Sequence, residues 1–161
     1  MIFDFDDIKQ QIKNSSVDSS IYIGADSKVY REGNSTMVAY VTVIILHYGS
    51  NKGAKIFRCH KTERYFGQIK QRLMTEVQEA ISAAMEVADS IGDRSFEIHL
   101  DINRNKKHKS SEIIKEATGY VLGMLGIEPK LKPYSFAASS VADRFCCADA
   151  KRKKRTKLKL K

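Results

Sequence analysis

Residues 95–102, SFEIHLDI, decide the class of fold. Apolar and polar side chains alternate through this stretch, which is typical of a β-strand with one face on a hydrophobic core. Before it, apolar residues recur at spacings of three and four from about Tyr65 to Ser90, which predicts a long amphipathic helix. After it, a second helix is predicted from Ser110 or Ser111 to about Leu125. A strand between two helices indicates an α/β domain.

Three further strands are predicted nearer the N-terminus, after a short helix at residues 3–12. The first is a buried strand at Ile21–Ala25, and Asp26–Asn34 is interpreted as the turn that follows it. The second is Thr36–His47, which is rich in β-branched and aromatic residues, and the third is Lys55–Cys59. Their order along the chain predicts an antiparallel meander.

Two short elements complete the predicted order. Glu128–Tyr134 contains two prolines and is interpreted as an edge strand, and a last helix is predicted to start at Ser139 or Ser140. The full order is then β-β-β-α-β-α-β-α. It predicts a mixed five-stranded sheet with helices on its faces.

Charge divides the chain into a near-neutral body and a polycationic end. The net charge is +9, but the last eleven residues contain eight Lys or Arg and no acid, and the rest carries 20 basic and 19 acidic residues. We therefore expect one domain at residues 1–150 and a flexible basic tail at residues 151–161. The sequence shows neither a signal peptide nor an apolar run long enough to cross a bilayer, which favours a soluble cytoplasmic protein.

Two aspartates are predicted to meet at one edge of the sheet. Asp26 follows the first strand, and Asp101 lies near the end of the fourth. If those strands are neighbours, both carboxylates emerge together, and their mutual repulsion calls for protonation or a cation. Oxygen ligands select hard cations such as Mg²⁺ or Mn²⁺.

The predicted helices offer further carboxylates. On the long helix, Glu76 lies to one side of the apolar stripe, whereas Glu79 and Glu86 lie almost opposite it and are expected to face water. Glu76 is therefore the favoured third carboxylate, with Glu79 as the alternative if the helix register differs by a turn. Asp143 on the last helix is either a fourth member of the group or an ordinary surface acid.

Three segments resemble the ribonuclease H superfamily, and within it the YkuK-type ribonuclease-H-like family of bacteria and phages. They are YIGADSK at residues 22–28, HLDINRNKKHKS at residues 99–110 and GIEPKLKPYSFAASSVADRF at residues 126–145. The last segment is the most specific of the three. The resemblance covers most of residues 21–145 and implies the ribonuclease-H-like fold.

The resemblance also implies a site and a chemistry. Asp26, Glu76, Asp101 and Asp143 occupy the four places where that superfamily carries its metal ligands. Two Mg²⁺ ions would be bridged by Asp26 and Asp101, and Glu76 and Asp143 would each hold one ion. Such a site hydrolyses phosphodiesters by in-line displacement.

Basic side chains near these acids are candidates for contacts with phosphate groups. His108, in the loop after Asp101, is a candidate for proton transfer, and Lys130 and Lys132 could alternatively protect an edge strand from pairing. The candidate nucleic-acid-binding residues are Lys28, Arg104, Lys106, Lys107, Lys109, Lys130, Lys132, Lys151, Arg152, Lys153, Lys154 and Arg155.

The favoured interpretation is a metal-dependent nuclease acting on RNA, an RNA–DNA hybrid or structured DNA. One alternative is a nucleic-acid-binding module that keeps the fold without useful catalysis. Another is a regulatory scaffold that does not bind nucleic acid. Fold alone does not decide between them, and the substrate strand, the oligomeric state and the pathway stay open.

Overall fold

The computed structural model describes residues 2–49, 52–103 and 113–146. In these ranges the chain forms one mixed sheet of five strands with helices on both faces, which confirms the predicted fold class. The elements are α1 (Phe5–Asn14), β1 (Ser20–Glu32), β2 (Ser35–His47), β3 (Ala54–Arg64), α2 (Ile69–Ile91), β4 (Ser95–Leu100), α3 (Ile114–Leu125), β5 (Lys130–Leu131) and α4, which is π-helical over Ala137–Ala142 and continues as α-helix through residues 143–146.

The strands lie in the order β3-β2-β1-β4-β5. The first three strands pair antiparallel, as the meander predicts. β4 lies parallel to β1 on one side and parallel to β5 on the other. Because β1 and β4 are neighbours, the C-terminal end of β4 at Leu100 lies beside Ala25, in the middle of β1.

Two strand boundaries differ from the prediction. β1 does not end at Ala25 but runs through Asp26 to Glu32, so the turn is only Gly33–Asn34, where Gly33 has a φ of 60°. β3 likewise extends past Cys59 to Arg64. Both extensions are mostly polar, so they lack the apolar pattern by which a strand is predicted. They pair with their neighbouring strands through backbone hydrogen bonds, which do not depend on that pattern.

Three helical or edge elements are also displaced. α2 begins at Ile69 rather than near Tyr65, because the Tyr65 amide still donates to the Thr36 carbonyl at 2.9 Å. β5 is only Lys130–Leu131, since the prolines on either side have no amide to donate. The last helix starts before Ser139, whose hydroxyl donates back to the Ser135 carbonyl at 3.0 Å instead of capping the helix. Gly126 ends α3 with a φ of 70°, while the predicted caps Ser110 and Ser111 lie outside the described residues.

Each face of the sheet has its own core. α1, α2 and α3 pack on one face, against the side chains of Ile21, Ile23 and Ala25 from β1. α4 packs on the other face, against Val41 and Val43 from β2. A buried strand of this kind sends successive side chains to opposite layers, so neighbouring residues of β1 can reach different helices.

The approach of α4 to β1 is very close. A Cβ atom on Gly24 would lie 2.6 Å from the Ala138 nitrogen, a contact too short for any other residue at that position. Glycine therefore lets the backbone of α4 lie directly on the sheet, which places Asp143 within electrostatic reach of Asp26.

Candidate functional site

Asp26 and Asp101 lie side by side on neighbouring strands. The parallel ladder of β1 and β4 ends with Ala25 opposite Leu100, and the residue that follows each of these two is an aspartate. Both positions differ from the prediction, because β4 ends at Leu100, so that Asp101 follows it instead of lying inside it, whereas Asp26 lies inside β1. Val41, the partner of Asp26 across β1 and β2, packs in the core beneath α4, so the Asp26 side chain is on the α4 side of the sheet.

Burial and neighbouring acids make Asp26 a weak acid. The residue is 8% exposed, and its pKa is raised from 3.8 to about 7, mainly by desolvation. Like-charge repulsion from Asp101 and Asp143 contributes to this rise, whereas the Ser27 backbone N–H and the Arg72 guanidinium oppose it. Asp26 therefore interacts electrostatically with two of the other predicted carboxylates.

Glu76 is the second buried acid of the cluster. It is 6% exposed, and desolvation, followed by repulsion from Asp26 and Asp101, raises its pKa to about 8. Glu79 instead pairs with Lys61, with 2.7 Å between Oε1 and Nζ, and Glu86 lies 3.8 Å from Lys9. The helix register thus places Glu76, and not Glu79, beside the aspartates.

Ser27 and Arg72 orient Glu76 through a chain of hydrogen bonds. Ser27 Oγ donates to Glu76 Oε1 at 2.5 Å, and Arg72 Nη1 donates to the Ser27 hydroxyl at 3.0 Å and to the Ser27 carbonyl at 3.2 Å. Arg72 was not predicted to belong to the site. Its position one helical turn before Glu76, on the same side of α2, is the sequence feature that could have indicated its role.

Lys132 forms an ion pair with Asp101. Its Nζ lies 2.5 Å from Asp101 Oδ1, so a cationic group already occupies this oxygen. Lys132 follows β5, the neighbour of β4. The cluster therefore already contains two cationic side chains, Lys132 at Asp101 and Arg72 behind Glu76.

Asp143 lies on α4, half-buried, where its charge raises the pKa of Asp26. One turn further on, Cys146 is buried and its thiol donates to the Asp26 carbonyl at 3.2 Å. This contact ties the helix that carries Asp143 to the strand that carries Asp26.

His99 supports the same arrangement from within the sheet. The buried imidazole accepts a hydrogen bond from the Ala137 amide at Nδ1, at 3.1 Å, and contacts Glu97 through Nε2 at 3.0 Å. Desolvation lowers its pKa, so the neutral ring with a proton on Nε2 satisfies both contacts. His99 therefore joins β4 to the start of α4 and is a structural residue.

The donor set fits a hard divalent cation in chemistry but does not form a ligand shell as it stands. Within residues 2–49, 52–103 and 113–146, no three Asp, Glu, His or Cys side chains are close enough to share one ion. All four candidate donors are nevertheless carboxylates, two of them buried with raised pKa values, and the Lys132 ammonium at Asp101 Oδ1 shows that a cation fits beside this oxygen. Such oxygens suit Mg²⁺ or Mn²⁺, and rotation of these side chains would be needed to bring them onto one ion.

The structure describes only some of the predicted nucleic-acid contacts. Lys28 is exposed two residues after Asp26, and Lys130 is exposed on β5. Lys132 is half-buried and paired with Asp101. The other candidates and His108 fall outside the described residues: Arg104, Lys106, Lys107, Lys109, Lys151, Arg152, Lys153, Lys154 and Arg155.

Comparisons with known proteins agree with the observed fold. A family model described as ribonuclease H-like matches residues 4–146. The chain is 30% identical to the uncharacterized protein YkuK of Bacillus subtilis (strain 168) over 138 residues, a match that covers 76% of each protein. No solved structure is a significant match. In the described ranges, no helix combines the length and apolar character needed to cross a membrane.

Proposed function

The chain belongs to the ribonuclease H-like family, and from this premise we propose that it is a divalent-metal-dependent nuclease. Its substrates would be phosphodiesters of RNA, of an RNA–DNA hybrid or of structured DNA. The observation that supports the proposal is that Asp26, Glu76, Asp101 and Asp143, which come from four separate segments, affect one another electrostatically around the middle of β1.

The proposed roles follow from position. Asp26 and Asp101, together with Glu76 and Asp143, would hold Mg²⁺ or Mn²⁺ ions. When bound, the metal ions supply an activated water and a stabilised leaving oxygen. The bond from phosphorus to the 3′ oxygen breaks as the bond to the water oxygen forms, which yields a 5′-phosphate and a 3′-hydroxyl.

The raised pKa values indicate how the cluster prepares for a cation. Asp26 and Glu76 titrate near neutral pH, so each holds a proton for part of the time when no other cation neutralises it. A carboxylate must lose its proton to bind a metal, and metal binding should therefore release protons. This release is a property of the buried pair that exposed acids would not share.

The basic residues of the chain support nucleic acid as the partner. Exposed Lys28 is two residues after Asp26, exposed Lys130 is paired with His99, two residues before Asp101, and the sequence adds eight basic residues at 151–161. Cationic side chains supply most of the non-specific affinity for a phosphate backbone. We expect the basic tail to act as an arm that holds substrate near the domain.

Calorimetric titration with Mn²⁺ and Mg²⁺ tests the site. Wild type and Asp101→Asn are compared in two buffers of different ionisation enthalpy, which counts the protons released. Glu86→Gln is the matched control, because Glu86 is a half-exposed acid on the far side of α2. Binding with proton release in wild type and in the control, and its loss in Asp101→Asn, is the expected result.

Cleavage is then assayed on single-stranded RNA, RNA–DNA hybrid, single-stranded DNA and branched DNA. Metal-dependent cleavage that Asp101→Asn abolishes supports the proposal. Equal cleavage by wild type and Asp101→Asn, or metal binding that this substitution does not affect, would contradict it.

A binding module without catalysis is the second candidate. It is favoured by the Lys132–Asp101 ion pair at 2.5 Å, which already neutralises one of the acids. The module predicts nucleic-acid binding that neither metal nor Asp101→Asn changes, with no cleavage of any substrate.

A further inference from the structure

A cleft of about 280 Å³ lies beside the carboxylate cluster, where β3 leads into α2. Its wall includes the aromatic residues Tyr40, Tyr65 and Phe66. Phe66 is 79% exposed, so nearly its whole ring is in contact with water. An exposed aromatic ring that lines a concave surface, rather than standing alone on a convex one, is typical of a binding site.

The backbone around Phe66 is held in place. The preceding amide, Tyr65, donates to the Thr36 carbonyl at 2.9 Å, and the following residue, Gly67, takes a φ of 87° that favours glycine. The Arg72 amide donates to the Gln68 carbonyl at 3.1 Å, which fixes the first turn of α2. The ring is therefore presented from an anchored turn between two regular elements.

The polar part of the wall can form hydrogen bonds in both directions. Gln68 and Gln71 are exposed, and each amide offers a donor and an acceptor. The acid Glu63 and two guanidinium groups, Arg64 and Arg72, also line the cleft. Arg64 donates to the Ser35 hydroxyl at 3.1 Å and Arg72 donates to the Ser27 hydroxyl at 3.0 Å. A flat aromatic face beside mixed donors and acceptors suits a heterocycle.

Arg72 joins the cleft to the carboxylates. It lines the cleft, and its Nη1 donates to Ser27, whose hydroxyl donates to Glu76. Its buried Nε–H has no hydrogen-bond partner in the described part of the chain. Because this atom has almost no exposed surface, an acceptor in the cleft would reach it only after rotation of the Arg72 side chain.

We propose that the cleft is a subsite for one unpaired base of a single-stranded nucleic acid, which stacks on Phe66 and is hydrogen-bonded by Gln68 or Gln71. This inference rests on the proposed function in taking nucleic acid as the substrate, and it narrows the substrate to strands with an unpaired base near the cleaved phosphate. The volume suits one ring system and is below that of pockets for larger ligands. A base within a duplex is already stacked and paired, and cannot enter.

The test measures binding without cleavage. Fluorescence anisotropy of a labelled short single-stranded oligonucleotide is followed in EDTA for wild type, Phe66→Ala, Phe66→Trp and Leu122→Ala. Leu122 is the control because it is 47% exposed on α3 and does not line the cleft. We expect Phe66→Ala to weaken binding roughly 5- to 100-fold, as loss of one base–aromatic stack does, and Phe66→Trp and Leu122→Ala to bind like wild type.

Two further measurements separate stacking from other effects. The slope of affinity against salt should be the same for Phe66→Ala and wild type, because no phosphate contact is removed. On a sugar–phosphate strand without bases, the two proteins should bind equally. Unchanged affinity in Phe66→Ala would overturn the subsite and leave an apolar group of a protein partner as the better occupant. An equal loss on the strand without bases would also overturn it, because Phe66 would then contact the sugar rather than a base.

The subsite and the nuclease can fail independently. Loss of cleavage in Asp101→Asn with no effect of Phe66→Ala on binding would keep the nuclease and remove the subsite. A Phe66 effect in a protein that cleaves no substrate would keep the subsite and support the binding module.

Discussion

Ser27 Oγ donates a hydrogen bond of 2.5 Å to Glu76 Oε1, which joins β1 to α2 across 49 positions of sequence. Asp26, the residue before Ser27, faces the α4 side of the sheet. Two consecutive residues of one strand therefore serve two layers: Asp26 belongs to the carboxylate cluster, and Ser27 orients the glutamate that joins it. Arg72 completes the arrangement by donating to Ser27.

Replacing Ser27 with alanine should destabilise the protein more at high pH than at low pH. The hydroxyl lowers the pKa of Glu76, so it favours the ionised form of a group whose pKa is about 8. At pH 9 the loss should be about 1–3 kcal/mol, as for a buried charged acceptor that loses its donor, and at pH 6 it should be smaller. Urea unfolding at both pH values measures it, with the exposed Ser140→Ala as control. Equal losses at the two pH values would show that Ser27 does not stabilise an ionised Glu76.

Asp26→Asn should stabilise the metal-free protein above pH 7. Folding raises the pKa of Asp26 from 3.8 to about 7, so the folded state binds more protons and stability falls as pH rises through this window. Asparagine removes that dependence, and the variant should be more stable than wild type by roughly 1–4 kcal/mol at pH 8 in EDTA, and close to wild type near pH 4. The exposed Asp89→Asn serves as the control. An Asp26→Asn protein that is less stable than wild type at pH 8 would contradict this account.

The spacing of apolar residues along the sequence predicted the features that depend on which side of a strand or helix is buried. Alternation in residues 95–102 identified β4, and the helical spacing of apolar residues placed Glu76 rather than Glu79 near the sheet, because both follow from which side of an element is buried. The far half of β1 was missed since its polar residues pair through the backbone.

Contacts between distant elements could not be predicted in the same way. Arg72 and Ser27 are 45 positions apart, and Lys132 meets Asp101 only because β5 lies next to β4. The cleft at Phe66 depends on how the turn after β3 is held, which no single segment of sequence specifies.

His99 should make the fold sensitive to acid. Burial lowers its pKa below the usual 6.5, so the unfolded state binds a proton that the folded state rejects. This contribution to stability is complete above about pH 6.5 and is lost as pH falls below that value. His99→Ala should cost about 2–4 kcal/mol at pH 8, through the lost hydrogen bonds and packing, and less at pH 5. Unfolding in urea at the two pH values, with the exposed His47→Ala as control, measures the difference. A cost that grows on acidification would mean that the ring is charged in the folded protein.

Lys132→Met should strengthen metal binding. The ammonium group lies 2.5 Å from Asp101 and competes with a divalent cation for the same oxygen, while methionine keeps much of the side-chain length without the charge. Removing a like charge from the neighbourhood of a metal ion should improve affinity about tenfold or more. Calorimetry with Mn²⁺ alone measures this affinity, and Lys130→Met, an exposed lysine two residues away, is the matched control. If Lys132→Met instead binds Mn²⁺ more weakly than wild type while Lys130→Met is unchanged, then Lys132 orients Asp101 for the metal rather than competing with it.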